Sequence, residues 1–160
     1  MFEPWSEFNV AMAGATAALA GLVIVAASVN IAEIVKSRTL TARLLAGIAA
    51  LLLALAVSAL GLVPGIDAAW FGAVTVVVAL LAAVFQVHAT RLIATDPNPE
   101  DRVRPLKYLG GFLPIFAYLA AGVLVGFGHP SGLYVAAAGC LLAILSAVVV
   151  SWVALVEVLR

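Results

Sequence analysis

The chain alternates long apolar runs with short polar breaks, and the length of the runs decides what they form. Residues 10–31, V-A-M-A-G-A-T-A-A-L-A-G-L-V-I-V-A-A-S-V-N-I, carry no charge. As a helix rising about 1.5 Å per residue they reach about 33 Å, enough to cross a bilayer core. Four more runs of this kind follow, at about 44–63, 69–88, 108–128 and 133–156. The pattern predicts an all-α integral membrane bundle of five transmembrane helices, a single membrane domain covering residues 1–160.

The breaks predict how the runs connect. Leu62-Val63-Pro64-Gly65 ends the second span with a stop-and-turn signal, and Trp70 and Phe71 open the third. Gly128-His129-Pro130-Ser131-Gly132 makes a tight turn between the fourth and fifth. Residues 89–107 form the one loop of any length; within it Asn98, Pro99, Glu100 and Asp101 read as an N-cap, a first-turn proline and acids at the start of a short helical turn. Ahead of the first span, Phe2, Trp5 and Phe8 recur at helical spacing opposite Glu3 and Glu7, a pattern that suits a turn lying at headgroup level. Acids stand there where a cleavable signal needs positive charge, so the first span is expected to be retained.

Charge then gives orientation. The eight basic residues fall as Lys36, Arg38 and Arg43 in the first loop, Arg91, Arg102, Arg104 and Lys107 in the third, and Arg160 at the end. The amino-terminal segment and the other two turns have none. The positive-inside bias therefore places the N-terminus outside and the C-terminus in the cytoplasm. Aromatic residues mark both edges, with Trp5, Trp70, Phe127 and Tyr134 outside and Phe85, Tyr108 and Trp152 inside.

Composition narrows the function classes. Hydrophobic residues make up 66% and charged residues 10% of the chain. Soluble domains carry about 25% charge, so an ordinary soluble domain is excluded. Net charge is +0, which gives no footprint for nucleic acid. Cys140 stands alone in an apolar run and reads as a small buried hydrophobe. Paired acids within a span, H-E-x-x-H, G-x-S-x-G and glycine-rich phosphate loops are all missing, so catalysis is not expected. His88 and His129 would lie about 30 Å apart across the bilayer core, which excludes a haem held by both. No metal and no cofactor is expected.

In lipid, helices associate where small side chains let backbones approach. The second span has Ala42, Ala46, Ala50, Ala54 and Ser58 at every fourth position, and the fifth has Gly139, Ala143, Ala147 and Ser151. Gly122-x-x-x-Gly126 lies in the fourth, while the first offers Gly14 with Ala18 and Ala17 with Gly21. These ladders serve either packing within one chain or assembly with other chains. Pro114 removes the hydrogen bond to the Gly110 carbonyl, and Gly111 weakens the same turn, so a kink or hinge is expected near the cytoplasmic end of the fourth span. The second-third and fourth-fifth hairpins share one plan, which a duplicated hairpin would produce.

Polar residues near the membrane lean to the cytoplasmic half: Asn30 and Glu33 on the first span, Gln86 and His88 on the third, Ser151 and Glu157 on the fifth. Intramembrane polar groups often mark function, so these six are a candidate polar pocket. The competing reading has each one hydrogen-bonding a neighbouring helix or reaching water.

The first span's A-A-L-A-G-L-V-I-V-A-A-S-V-N-I, a polar loop ending in L-T-A-R, and a second span closing on G-L-V-P-G resemble a group of small bacterial membrane proteins. Some members of that group are labelled modulators of a membrane-bound AAA protease. The resemblance covers roughly the first 65 residues and implies a non-catalytic membrane partner, with no functional residues to carry over. Arginine outnumbering lysine, with abundant Ala and Val, suits a GC-rich bacterial genome and hence a bacterial cytoplasmic membrane. The expected function is thus an accessory, assembly or modulator subunit whose partners are the lipid bilayer and another membrane protein or a second copy. A homo-oligomeric channel or small transporter using Asn30, Gln86 and His88 is the alternative. A lipid or quinone binder using the inner pocket is the third reading.

Overall fold

The structure is a computed structural model and describes residues 1–95 and 104–158. All of its regular elements are helical. A 3-10 turn over Glu3–Trp5, started by Pro4, leads into α1 (Ser6–Val29). After it come the single turn α2 (Ile31–Ile34), α3 (Arg38–Leu60), α4 (Ala68–Thr95), α5 (Arg104–Gly126) and α6 (Ser131–Val158). Four of these, at Glu3–Val29, Arg38–Leu60, Ala68–Leu92 and Ser131–Trp152, are long and apolar enough to cross a membrane, and Gly110–Gly126 adds a shorter apolar segment. The helices begin and end within a few residues of the spans expected from the sequence, except that α3 starts six residues earlier, at Arg38, and α4 runs on to Thr95. The turn expected around Asn98 lies outside the described residues.

Each boundary has a local cause. α1 stops at Asn30, whose backbone (φ −108°, ψ 19°) leaves the helical region. Its carbonyl accepts from both Glu33 N and Ile34 N, so the chain turns once more as α2 before α3 begins. Ser37 caps α3 by accepting from Leu40 N at 3.3 Å. Thr41 Oγ1 donates to Ile34 O and Ser37 O, tying that corner down. Asp67 Oδ2 accepts from Ala69 N at 3.1 Å at the head of α4. α5 ends in a Schellman motif: Gly128, at φ +81°, donates to Val125 O, and His129 N donates to Leu124 O. A side chain at Gly128 would strain that turn.

α3, α4, α5 and α6 form a ring in which each packs on the next and α3 closes against α6; α1 lies outside the ring on α3 and touches α6 at its edge. α3 is consequently the most enclosed helix, with 56% of its span buried against 11% for the first. Ala42, Ala46, Ala50, Ala54 and Ser58 are all buried within the bundle. Leu40, Leu44 and Leu51 form a second buried stripe with Ala20, Val23 and Ile34 from α1 and α2. On α6, Gly139, Ala143 and Ala147 are buried, and Ser151 is half-buried. Gly47 meets Val150 and Ala147 across the α3–α6 seam.

The tightest approach joins α4 to α5. A methyl group on Gly72 would stand 2.6 Å from Gly126 Cα and closer still to the Gly122 carbonyl oxygen. Gly122 and Gly126 therefore face Gly72. α5 runs unbroken through Pro114, which is fully buried. Gly110 faces open space and Gly111 lies against Gln86.

Candidate functional site

The described residues expected to line an inner pocket lie in separate surroundings. Asn30 Nδ2 donates to Ala26 O of its own helix at 3.1 Å. Glu33 is exposed and pairs with Lys36 at 2.7 Å. Gln86 lies over Gly111 on the α4–α5 seam, where a methyl at residue 111 would overlap its amide. His88 is exposed, and Ser151 Oγ donates back to Ala147 O at 2.8 Å. The Glu157 side chain lies outside the described residues. α1 packs on α3 whereas Gln86 belongs to the α4–α5 contact, so the structure does not bring Asn30 and Gln86 together. Among the described residues, no group of three His, Cys, Asp or Glu could hold a metal ion.

The opposite end of the bundle does gather polar groups. There α3 finishes, α6 begins, and the amino-terminal turn folds back over both. Phe2 packs on Phe71 with ring centroids 4.8 Å apart. Trp5 meets Tyr134 edge-on at 4.8 Å and Phe8 edge-on at 5.8 Å. The rings expected at headgroup level therefore act as a clasp that holds the first turn of the chain onto the bundle. Aromatic pairs of this geometry add about 0.5–1.5 kcal/mol each beyond the area they bury. Asn9 lies against Gly61, where a methyl group would stand 3.3 Å from its Cγ and nearer its amide nitrogen.

Under this clasp is a cavity of about 20 Å³, walled by Trp5, Phe8, Phe71 and Leu133 among others. That is room for roughly one water-sized group. Polar side-chain groups in its lining belong to Trp5, Asn9 on α1, Ser58 on α3, Tyr118 on α5 and Cys140 on α6. The Tyr118 ring lies over Gly139, within 3.4 Å of where a methyl there would be, and its hydroxyl reaches the neighbourhood of Cys140. Cys140 in turn lies beside Ser58. Tyr118 is 1% exposed, yet its Oη has no hydrogen-bond partner. Thr75, one turn beyond Phe71 and also fully buried, carries a second hydroxyl without a partner. Buried polar groups are nearly always paired in folded proteins, so an orphan hydroxyl beside a cavity calls for a cause.

Sequence reasoning missed this cluster. Cys140 was expected as a small buried hydrophobe and Ser58 as the last rung of a packing ladder, and both descriptions hold of their burial. Tyr118 offered the one signal: it stands mid-span, whereas Tyr108 and Tyr134 stand at span edges. No protein-family model, no curated protein and no solved structure matches the chain.

Proposed function

We propose that the protein is a non-catalytic, multi-pass membrane protein that docks on another membrane protein through the outer face of α1. The carrying observation is the unequal use of the small-residue faces. Those of α3, α5 and α6 are spent inside the ring, whereas Gly14, Ala17, Ala18 and Gly21 on α1 are all exposed, and a methyl at Gly14 or Gly21 would meet open space. Gly14 and Gly21 let a second backbone approach, and the flanking Val10, Leu22 and Val25 are exposed apolar residues that suit an apolar helix as occupant. An accessory or modulator role is also what the resemblance of the first 65 or so residues implies. The channel or transporter reading would draw on Asn30, Gln86 and His88, which lie at a helix end, in a seam and on the surface.

In this reading all five apolar helices cross the bacterial cytoplasmic membrane, with the N-terminus outside and the basic loops in the cytoplasm. Lys36→Cys and His129→Cys, each in a Cys140→Ala background, test the orientation. An impermeant maleimide applied to intact cells should label His129→Cys alone, and labelling of Lys36→Cys alone would reverse the topology.

Docking is tested by a photo-reactive amino acid placed at Ala18 on α1, and at exposed Leu80 on α4 and Val148 on α6 for comparison. The expected result is a discrete protein adduct from Ala18 in native membranes and only lipid adducts from the other two. Gly14→Leu with Gly21→Leu should remove that adduct while leaving bundle stability within about 0.5 kcal/mol, since neither position touches the bundle. Equal adduct patterns from all three positions would defeat the proposal.

A further inference from the structure

The face of α1 that is turned away from the bundle follows a heptad line. Glu7, Gly14, Gly21 and Ser28 stand at seven-residue intervals with Val10, Ala17 and Ile24 between them, and all of these are exposed. A 3.5-residue repeat keeps one line of a helix turned toward a neighbouring helix along its whole length, through a left-handed crossing. Gly14, Ala17 and Gly21 keep the middle of the line low enough for a second backbone to approach.

The two ends of the line are polar and make different demands. Ser28 Oγ donates to Ile24 O at 2.8 Å, so that hydroxyl is satisfied within α1. The Glu7 carboxylate has neither an ion pair nor a hydrogen bond among the described residues. A helix laid along the line would strip water from this carboxylate, and a charge that loses its water without gaining a partner is costly. A cation at the same end of the incoming helix removes that cost.

This chain has no such cation to offer. The Phe2–Phe71 and Trp5–Tyr134 contacts bring the head of α1 together with the starts of α4 and α6. The segments that meet at this end of the bundle, 1–9, 60–71 and 125–134, contain no Lys or Arg. His129, the imidazole at this end, belongs to the α5–α6 turn and not to α1. A second copy docked face to face about a two-fold axis along the membrane normal would set Glu7 against Glu7, and like charges placed together suppress a pairing.

We infer that the occupant of the α1 face is a helix of a different membrane protein, one that carries a lysine or arginine at its outer end and pairs it with Glu7. Glu7 thereby bars a second copy of this chain. The inference rests on the docking role of α1 and names the chemistry of its partner. A basic residue at the outer end of a span runs against the positive-inside bias, so few apolar helices meet the requirement and it is selective.

The test takes the discrete adduct formed by a photo-reactive amino acid at Ala18 in native membranes, digests it and sequences the attached span. That span should carry a Lys or Arg about 16 Å, roughly eleven residues, nearer its outer end than the attachment point. Glu7→Gln should lower the adduct yield about threefold, the worth of one exposed ion pair. Glu7→Lys adds repulsion to the loss and should lower it about tenfold. Ser131→Lys puts the same charge at the exposed start of α6 and should leave the yield unchanged, which separates pairing from any effect of added positive charge on insertion.

No discrete adduct from Ala18 removes the docking face, and the inference with it. A discrete adduct whose attached span comes from this same chain, or has no basic residue at its outer end, overturns the inference and leaves docking standing. So does a wild-type yield in Glu7→Lys.

Discussion

Gly72→Ala should destabilise the bundle by about 2–3 kcal/mol, the upper part of the range for overpacking a close-packed seam. The added methyl meets backbone, at 2.6 Å from Gly126 Cα and 2.7 Å from Gly126 N, and backbone cannot rotate aside as a side chain can. α4 and α5 must separate, and every contact along the seam lengthens with them. Gly126→Ala is the matched control. Its methyl would stand 3.7 Å from Gly72 Cα, an ordinary van der Waals distance, so it should fall within about 1 kcal/mol of wild type. Unfolding titrations in mild detergent with a denaturing co-detergent measure both. Equal losses would show that the two helices do not cross at Gly72.

Leu53→Ala is the second large effect. Leu53 is 1% exposed on α3, and its neighbour Leu52 is 49% exposed. In water a buried leucine truncated to alanine loses both transfer free energy and packing, about 2–5 kcal/mol in all. In lipid the transfer part nearly vanishes, because hydrocarbon tails are as apolar as leucine. What remains is the unfilled space and its lost dispersion contacts, so about 2 kcal/mol is expected for Leu53→Ala and close to zero for Leu52→Ala. The same unfolding titration reads the pair. A reversed order would mean that α3 is rotated by roughly a quarter turn or more about its axis from the packing described.

The helices were legible in the sequence because a bilayer imposes one length and one polarity on anything that crosses it. The α3 ladder was legible for a related reason: Ala46, Ala50 and Ala54 repeat at the spacing of one helix face, and such a face packs. What that spacing could not give was the partner. Gly122 and Gly126 announced a close approach, but nothing in their spacing names Gly72, which sits beside Trp70 and Phe71 where the sequence reads as a span opening. The inner polar residues were grouped by depth along their helices, and depth leaves the rotation of each helix open. Read by depth alone Asn30 and Gln86 fall together, yet they face different neighbours. The cavity was hidden by the same gap, since Asn9, Ser58, Tyr118 and Cys140 come from four helices and no periodicity within one of them points to the others.

The clasp at the head of α1 joins two parts of the molecule that would otherwise be independent. Trp5, Phe8 and Asn9 belong to the same rigid helix or its first turn as Gly14 and Ala18, and they also form one wall of the cavity. Any force that draws the head of α1 away from α6 must part Trp5 from Tyr134 and widen the cavity in the same motion. Opening of the cavity and displacement of α1 are therefore a single motion, and whatever pulls the helix outward must also supply the free energy of the aromatic contacts it breaks.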